Sequence, residues 1–207
     1  MRFLLILPLL LATAHADKLP LEKWLQRQAS ISSLDVSFTQ ERKLPALKEP
    51  VTTAGRLYFS KPDQVRWQLG EPFQTLAVSD GNTLTLVDAT AKTARRTSTE
   101  SPQAARFSLL AGKAFESVEQ FDRTFEIVES SVTSGIYQYT LKPKDRRIRS
   151  QIPWIFLDID PLKIELRALE IELQDRSRLR TTFHHPRFNV KLEPALFRPD
   201  LTGYDVK

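Results

Sequence analysis

A chain of 207 residues that is 41% hydrophobic can bury one substantial core, and with no cysteine it must do so without disulfide staples. The missing cysteine also excludes thiolate metal sites, a cysteine nucleophile and a lipid-modified N-terminal cysteine. A formal charge of +5 suits anionic lipid surfaces or an acidic docking partner and gives no support to nucleic-acid binding.

The first sixteen residues, "MRFLLILPLLLATAHA", join a basic Arg2 to an apolar run from Phe3 to Leu11 and end on Ala14-His15-Ala16. That is the layout of a cleaved secretory signal, and the apolar run is shorter than the roughly 20 residues a bilayer-spanning helix requires. The expected mature chain, residues 17–207, is exported, and a cysteine-free exported chain fits a bacterial periplasm.

Next, "LPLEKWLQRQA" at 19–29 sets Leu21, Trp24, Leu25 and Gln28 at helical spacing behind Pro20, which a first turn tolerates. In "SLDVSFTQ" Leu34, Val36 and Phe38 alternate with Asp35, Ser37 and Thr39, the period of a half-buried strand. "GRLYFSKPDQVRWQL" at 55–69 reads as a hairpin around Lys61-Pro62-Asp63, with Leu57, Phe59, Val65, Trp67 and Leu69 on one face. "TLAVSDGNTLTLVD" is a second hairpin turning on Asp80-Gly81-Asn82, and it carries Leu84 and Leu86.

The segment "ESPQAARFSLLAGKAF" interrupts the strands as a short helix with Phe107, Leu110 and Ala111 along one side and Gly112 as its stop. Six more strand-like segments follow: "RTFEIVES", "GIYQYTLKP", "WIFLDID", "KIELRALEIELQD", "SRLRTTFHH" and "FNVKLEP". The expected fold is mainly β: one antiparallel sheet of about ten or eleven strands with short helices on one side. Accumulated twist must curl so wide a sheet toward a barrel, and its inner face must meet the helices or a ligand.

Catalytic constellations are missing. The two histidines beyond residue 16, His184 and His185, are neighbours on a strand and point to opposite faces. Asp158, Asp160, Glu165, Glu170 and Glu172, with Arg167 and Lys163 beside them, read as a solvated outer face with cross-strand ion pairs. Six glycines form no phosphate-binding pattern, so neither an enzyme nor a cofactor is expected. The basic run from Lys142 to Ser150, "KPKDRRIRS", reads as a solvated hairpin tip or as a patch for a partner or anionic headgroups. The large apolar side chains, Trp24, Phe38, Phe59, Trp67, Phe107, Leu109, Leu110, Trp154 and Phe156, are core material that a curled sheet could also use as cavity wall.

"SFTQ" at 37–40 and "GRLYFSKPDQVRWQLGEPFQTLAVSDGNTLTLVD" at 55–88 resemble the bacterial outer-membrane lipoprotein carrier (LolA) family, with "RFSLLAG", "YTLKPKD" and the closing "FRPDLTGYDVK" as weaker matches. The resemblance implies an unclosed β-barrel under a helical lid. It also implies a periplasmic, monomeric carrier of acylated lipoproteins that works between an inner-membrane ATP-driven transporter and an outer-membrane receptor.

By position it implies that Val65 and Trp67, with Phe38, Leu57, Phe59, Leu69, Leu84 and Leu86 on the same apolar surface, wall the cavity. Trp24, Phe107, Leu109 and Leu110 belong to the lid. Lys61 stands where the family commonly has an arginine that ties barrel to lid through backbone carbonyls, and lysine lacks the planar five-donor fork. Two alternatives stay open: a same-fold carrier of another lipid, glycolipid or polyene, and a half-barrel sensor or interaction domain.

Overall fold

The computed structural model describes residues 18–101, 104, 107 and 112–207; the expected signal sequence, Leu109 and Leu110 lie outside the described residues. The expected helix at 19–29 is α1 (Leu19–Ala29), with Pro20 in its first turn, Glu22 near its N-terminus and Arg27 in its last turn. Leu21, Trp24 and Leu25 are its buried stripe.

Strands β1 (Ser33–Lys43), β2 (Val51–Ser60), β3 (Gln64–Leu69), β4 (Thr75–Asp80), β5 (Thr83–Asp88) and β6 (Thr93–Ser98) follow as a meander. The second half contains α2 (Val118–Thr124), β7 (Phe125–Thr133), β8 (Ile136–Pro143), α3 (Arg146–Arg149), β9 (Trp154–Asp160), β10 (Glu165–Glu172), β11 (Arg178–Phe188) and β12 (Asp205–Val206). They make one sheet in the order β12-β6-β5-β4-β3-β2-β1-β11-β10-β9-β8-β7. All neighbours are antiparallel except the two-residue β12, which lies parallel to β6. The edges β7 and β12 do not pair, so the barrel is unclosed.

Twelve described strands exceed the expected ten or eleven. The additions are β6, whose "TARRTS" has no apolar alternation, and the short terminal β12. One expected strand is absent: "FNVKLEP" leaves the sheet just after Phe188. Asn189 takes a left-handed φ of 55° and its side chain accepts from the Ser32 N–H at 2.7 Å. The chain then crosses the outer face to a 3-10 turn at Pro194–Phe197. Two short helices, α2 and α3, were not expected; Ser117 caps α2 by accepting from Gln120 N–H at 3.1 Å.

Three apolar clusters result among the described residues. On the inner face of β7–β11, the α1 stripe packs with Phe115, Phe121, Phe125, Leu141, Ile155 and Leu157. On the inner face of β1–β3, Val36, Phe38, Leu57, Val65 and Trp67 form the second, and Phe183 touches both. On the outer face, Leu76, Val78, Val87 and Ala94 are roofed by Phe197 and the C-terminal segment.

Phe38 explains Gly55. The two are register partners across β1 and β2, the ring lies where a Cβ on residue 55 would stand, and it packs at a tilt against Trp67 at 4.6 Å between centroids.

The outer face also holds the carboxylates, with different partners from those expected. Arg180 of β11 reaches Glu170 on the neighbouring strand β10 and, across it, Asp158 on β9, and Arg178 reaches Glu170 and Glu172, in place of Arg167 and Lys163. Glu165 instead faces α1, 3.7 Å from Arg27. Phe156 is an outer-face residue with Arg178 over its ring at 5.3 Å, and Trp154, two positions earlier opposite Glu172, shares that face.

Candidate functional site

Between α1 and the inner face of the sheet lies a cavity of about 120 Å³. Trp24, Ile31 and Phe115 cover it, Leu34, Val36, Leu57 and Phe59 form one wall, and Leu166, Leu169, Phe183 and Phe188 form the other. Four polar residues, Gln28, Lys61, Glu116 and Glu165, complete the lining. Among the described residues the lining is predominantly apolar, and such a surface favours an apolar guest by excluding water. The cavity is well below the roughly 300–1,000 Å³ of pockets that enclose a whole small-molecule ligand, so a long chain fits only if a covering element moves.

That covering element is α1, and it is fastened at both sides of the mouth. From the turn after β2, Lys61 Nζ donates to the Ala29 carbonyl at 2.7 Å, at the helix's C-terminal end. From the helix, Arg27 Nη1 donates to the Lys163 carbonyl at 2.5 Å and the Ile164 carbonyl at 3.1 Å, in the β9–β10 turn. The Arg27 guanidinium also lies 4.5 Å over the Phe188 ring. Arg27 makes two carbonyl bonds, both from Nη1, and a cation–π contact, where Lys61 makes one bond, so the stronger fastener is on the helix and the weaker on the barrel.

Among the singled-out residues, Trp24, Leu57, Phe59 and Lys61 border this cavity. Phe38, Val65, Trp67 and Leu69 form or flank the adjoining cluster on β1–β3. Phe59 and Val65 also border a second, more polar space of about 300 Å³ together with Phe107. Leu84 is buried and Leu86 half-buried; they stand opposite Ser79 and Ala77, in line with Val65 and Trp67, but neither borders the cavity under α1. His184 accepts or donates across 3.0 Å to Thr39 on the outer face, and His185 is exposed. Among the described residues no group of three or more His, Cys, Asp or Glu could hold a metal ion.

The family model described as outer membrane lipoprotein carrier protein LolA matches residues 29–200. The chain belongs to the LolA family. A curated outer-membrane lipoprotein carrier protein of Pseudomonas fluorescens is 30% identical over 151 residues, covering 69% of each chain. Among solved structures, an uncharacterized conserved protein from Thermus thermophilus matches 90% of this chain and 96% of its own at a TM-score of 0.52 and 7% identity. A DUF1329 family protein from Desulfovibrio piger matches 87% and 96% at a TM-score of 0.50 and 13% identity. At such identities these two show the fold alone.

The LolA match begins at Ala29, the carbonyl that Lys61 holds, and takes in both cavity walls. Four of the wall residues, Leu166, Leu169, Phe183 and Phe188, were not singled out from the sequence. Phe183 and Phe188 flank "HHPR", where the histidines draw the eye and a register shift in the β1–β11 pairing hides the alternation. Arg27 has no sequence signal beyond a cation in a last helical turn.

Proposed function

We propose that this LolA-family protein is a periplasmic carrier that shelters the acyl chains of lipoproteins beneath α1, taking them from an inner-membrane transporter to an outer-membrane receptor. The observation that carries this reading is an apolar cavity covered in part by the amphipathic helix α1, which polar ties hold at the mouth. Export through a signal sequence at residues 1–16 belongs to the same proposal, and the carrier description of the family supports it.

The energetics suit a shuttle. Lifting α1 exposes Leu21, Trp24 and Leu25, now 0%, 4% and 0% exposed, at roughly 1.5–3 kcal/mol each, and breaks the ties at its C-terminal end. The cost is about 7–12 kcal/mol. An acyl chain of about 16 carbons gains on the order of 10–12 kcal/mol when sheltered, at about 0.8 kcal/mol per methylene. For one chain the gain and the cost lie within a few kcal/mol of each other, so a receptor with a slightly better cavity can take the cargo without a nucleotide. Loading draws on the membrane transporter.

Purifying the protein from the periplasm and identifying what copurifies by mass spectrometry tests the cargo. Acylated lipoproteins are expected, and recovery of non-protein lipids alone refutes the lipoprotein assignment in favour of a lipid or glycolipid carrier.

A further inference from the structure

We infer that the pole of the sheet opposite the cavity mouth is a docking surface for an anionic lipid bilayer. Strand polarity separates the two ends. β2 runs from Val51 to Ser60, so the β1–β2 hairpin and Lys61 are about 30 Å apart at roughly 3.3 Å per residue. The hairpin shares its end with α3 and the β10–β11 turn: Lys43 stands opposite Arg178, Glu172 opposite Trp154, and Gln174 N–H donates to the Gln151 carbonyl just past α3 at 3.1 Å.

Charge is concentrated there. Residues 42–51, 70–74, 88–92, 142–151 and 172–178 contain eleven Lys and Arg against six acidic residues, whereas the whole chain has a net charge of +5, so the remainder is close to neutral. The turns around the mouth, 60–64, 80–83, 160–165 and 184–189, carry three Lys and Arg against four acids. Acids of the pole are engaged locally: Asp145 caps α3 by accepting from Arg147 N–H at 2.6 Å and Ile148 N–H at 3.1 Å, Asp175 accepts from Ser177 N–H at 2.9 Å, and Glu172 pairs with Arg178 at 2.7 Å. Arg42, Lys43, Lys48, Arg146, Arg147 and Arg176 are exposed.

Charge alone would suit an acidic protein as well. The deciding feature is that Leu47 and Val51, 46% and 51% exposed, stand among these cations on the same hairpin. Aliphatic side chains beside a ring of Lys and Arg match a headgroup layer, which offers phosphates to the cations and acyl carbon to the aliphatics. Docked this way, the protein holds its cavity mouth toward the aqueous side, free to meet a protein partner. The inference does not rest on the cargo proposed above.

Cosedimentation with vesicles of phosphatidylglycerol and phosphatidylethanolamine in equal parts, against phosphatidylcholine vesicles, tests it. Wild type should bind the anionic vesicles, and added salt should weaken binding. R146E/R147E should weaken it by at least about tenfold, and L47S a few-fold, with unchanged circular dichroism. Leu162 is 94% exposed at the β9–β10 turn beside the mouth, so L162D is the control for the opposite orientation and should bind as wild type does. No vesicle binding by wild type, undiminished binding by R146E/R147E, or loss only in L162D would overturn the inference.

Discussion

Replacing Arg27 or Lys61 by alanine should loosen α1 without unfolding the sheet. The Arg27 side chain is 32% exposed, makes two carbonyl hydrogen bonds and stands 3.7 Å from Glu165. Hydrogen bonds to charged groups are worth about 1.5–3 kcal/mol when sheltered and less with solvent access, so about 2 kcal/mol is a fair figure for this fastener. Lys61 is exposed and makes one such bond, for which about 1 kcal/mol is appropriate. The population with α1 lifted should rise about 30-fold in Arg27→Ala and about 5-fold in Lys61→Ala, at 1.4 kcal/mol per tenfold. The two ties share no partner, so the double variant should show roughly the product. Amide hydrogen exchange at Trp24 and Leu25, read against the β8–β9 core, measures this directly. Unchanged exchange in α1, or equal acceleration of α1 and the core strands, would refute the two-tie account.

Three further outcomes follow from the same geometry. Phe59→Asp places a carboxylate in the wall of the cavity at a half-buried position, so uptake of an acylated probe should fall at least tenfold while the melting transition stays cooperative; Trp67→Ala should also impair uptake but costs about 3–5 kcal/mol of stability. Gly55→Ala drives a Cβ into the Phe38 ring and the Gln68 carbonyl, and denaturant melting should show a loss of about 1–3 kcal/mol. Burial raises the Asp35 pKa, but hydrogen bonds from Arg56 and Arg187 outweigh it and hold the carboxylate below its usual range. The stability it contributes is therefore full above its unfolded pKa, about 4, and is lost as pH falls through its lower folded value. Asp35→Asn should cost about 1–3 kcal/mol at neutral pH, and the gap to wild type should narrow in melts at about pH 3.

The meander through β5 was legible because each strand carries its own alternation: Leu34, Val36 and Phe38 on β1 and Val65, Trp67 and Leu69 on β3 all face inward. β6 was not, since its buried residue Ala94 lies under a roof built more than 100 positions later by Phe197. "FNVKLEP" has the apolar spacing of a strand, but Leu192 uses it against the outer face after Asn189 has turned the chain away. The site was half legible for a similar reason. Leu57 and Phe59 announce an apolar wall by period, whereas Arg27 becomes a fastener only when folding brings it to carbonyls 136 and 137 positions away.

The most direct test of the carrier proposal is to add a triacylated lipopeptide to the purified protein and follow binding and α1 exchange together. Saturable binding with accelerated exchange at Trp24 and Leu25 is the predicted result, because cargo and helix compete for one apolar surface. Binding that leaves α1 as protected as in the free protein, or no binding at all, would contradict it.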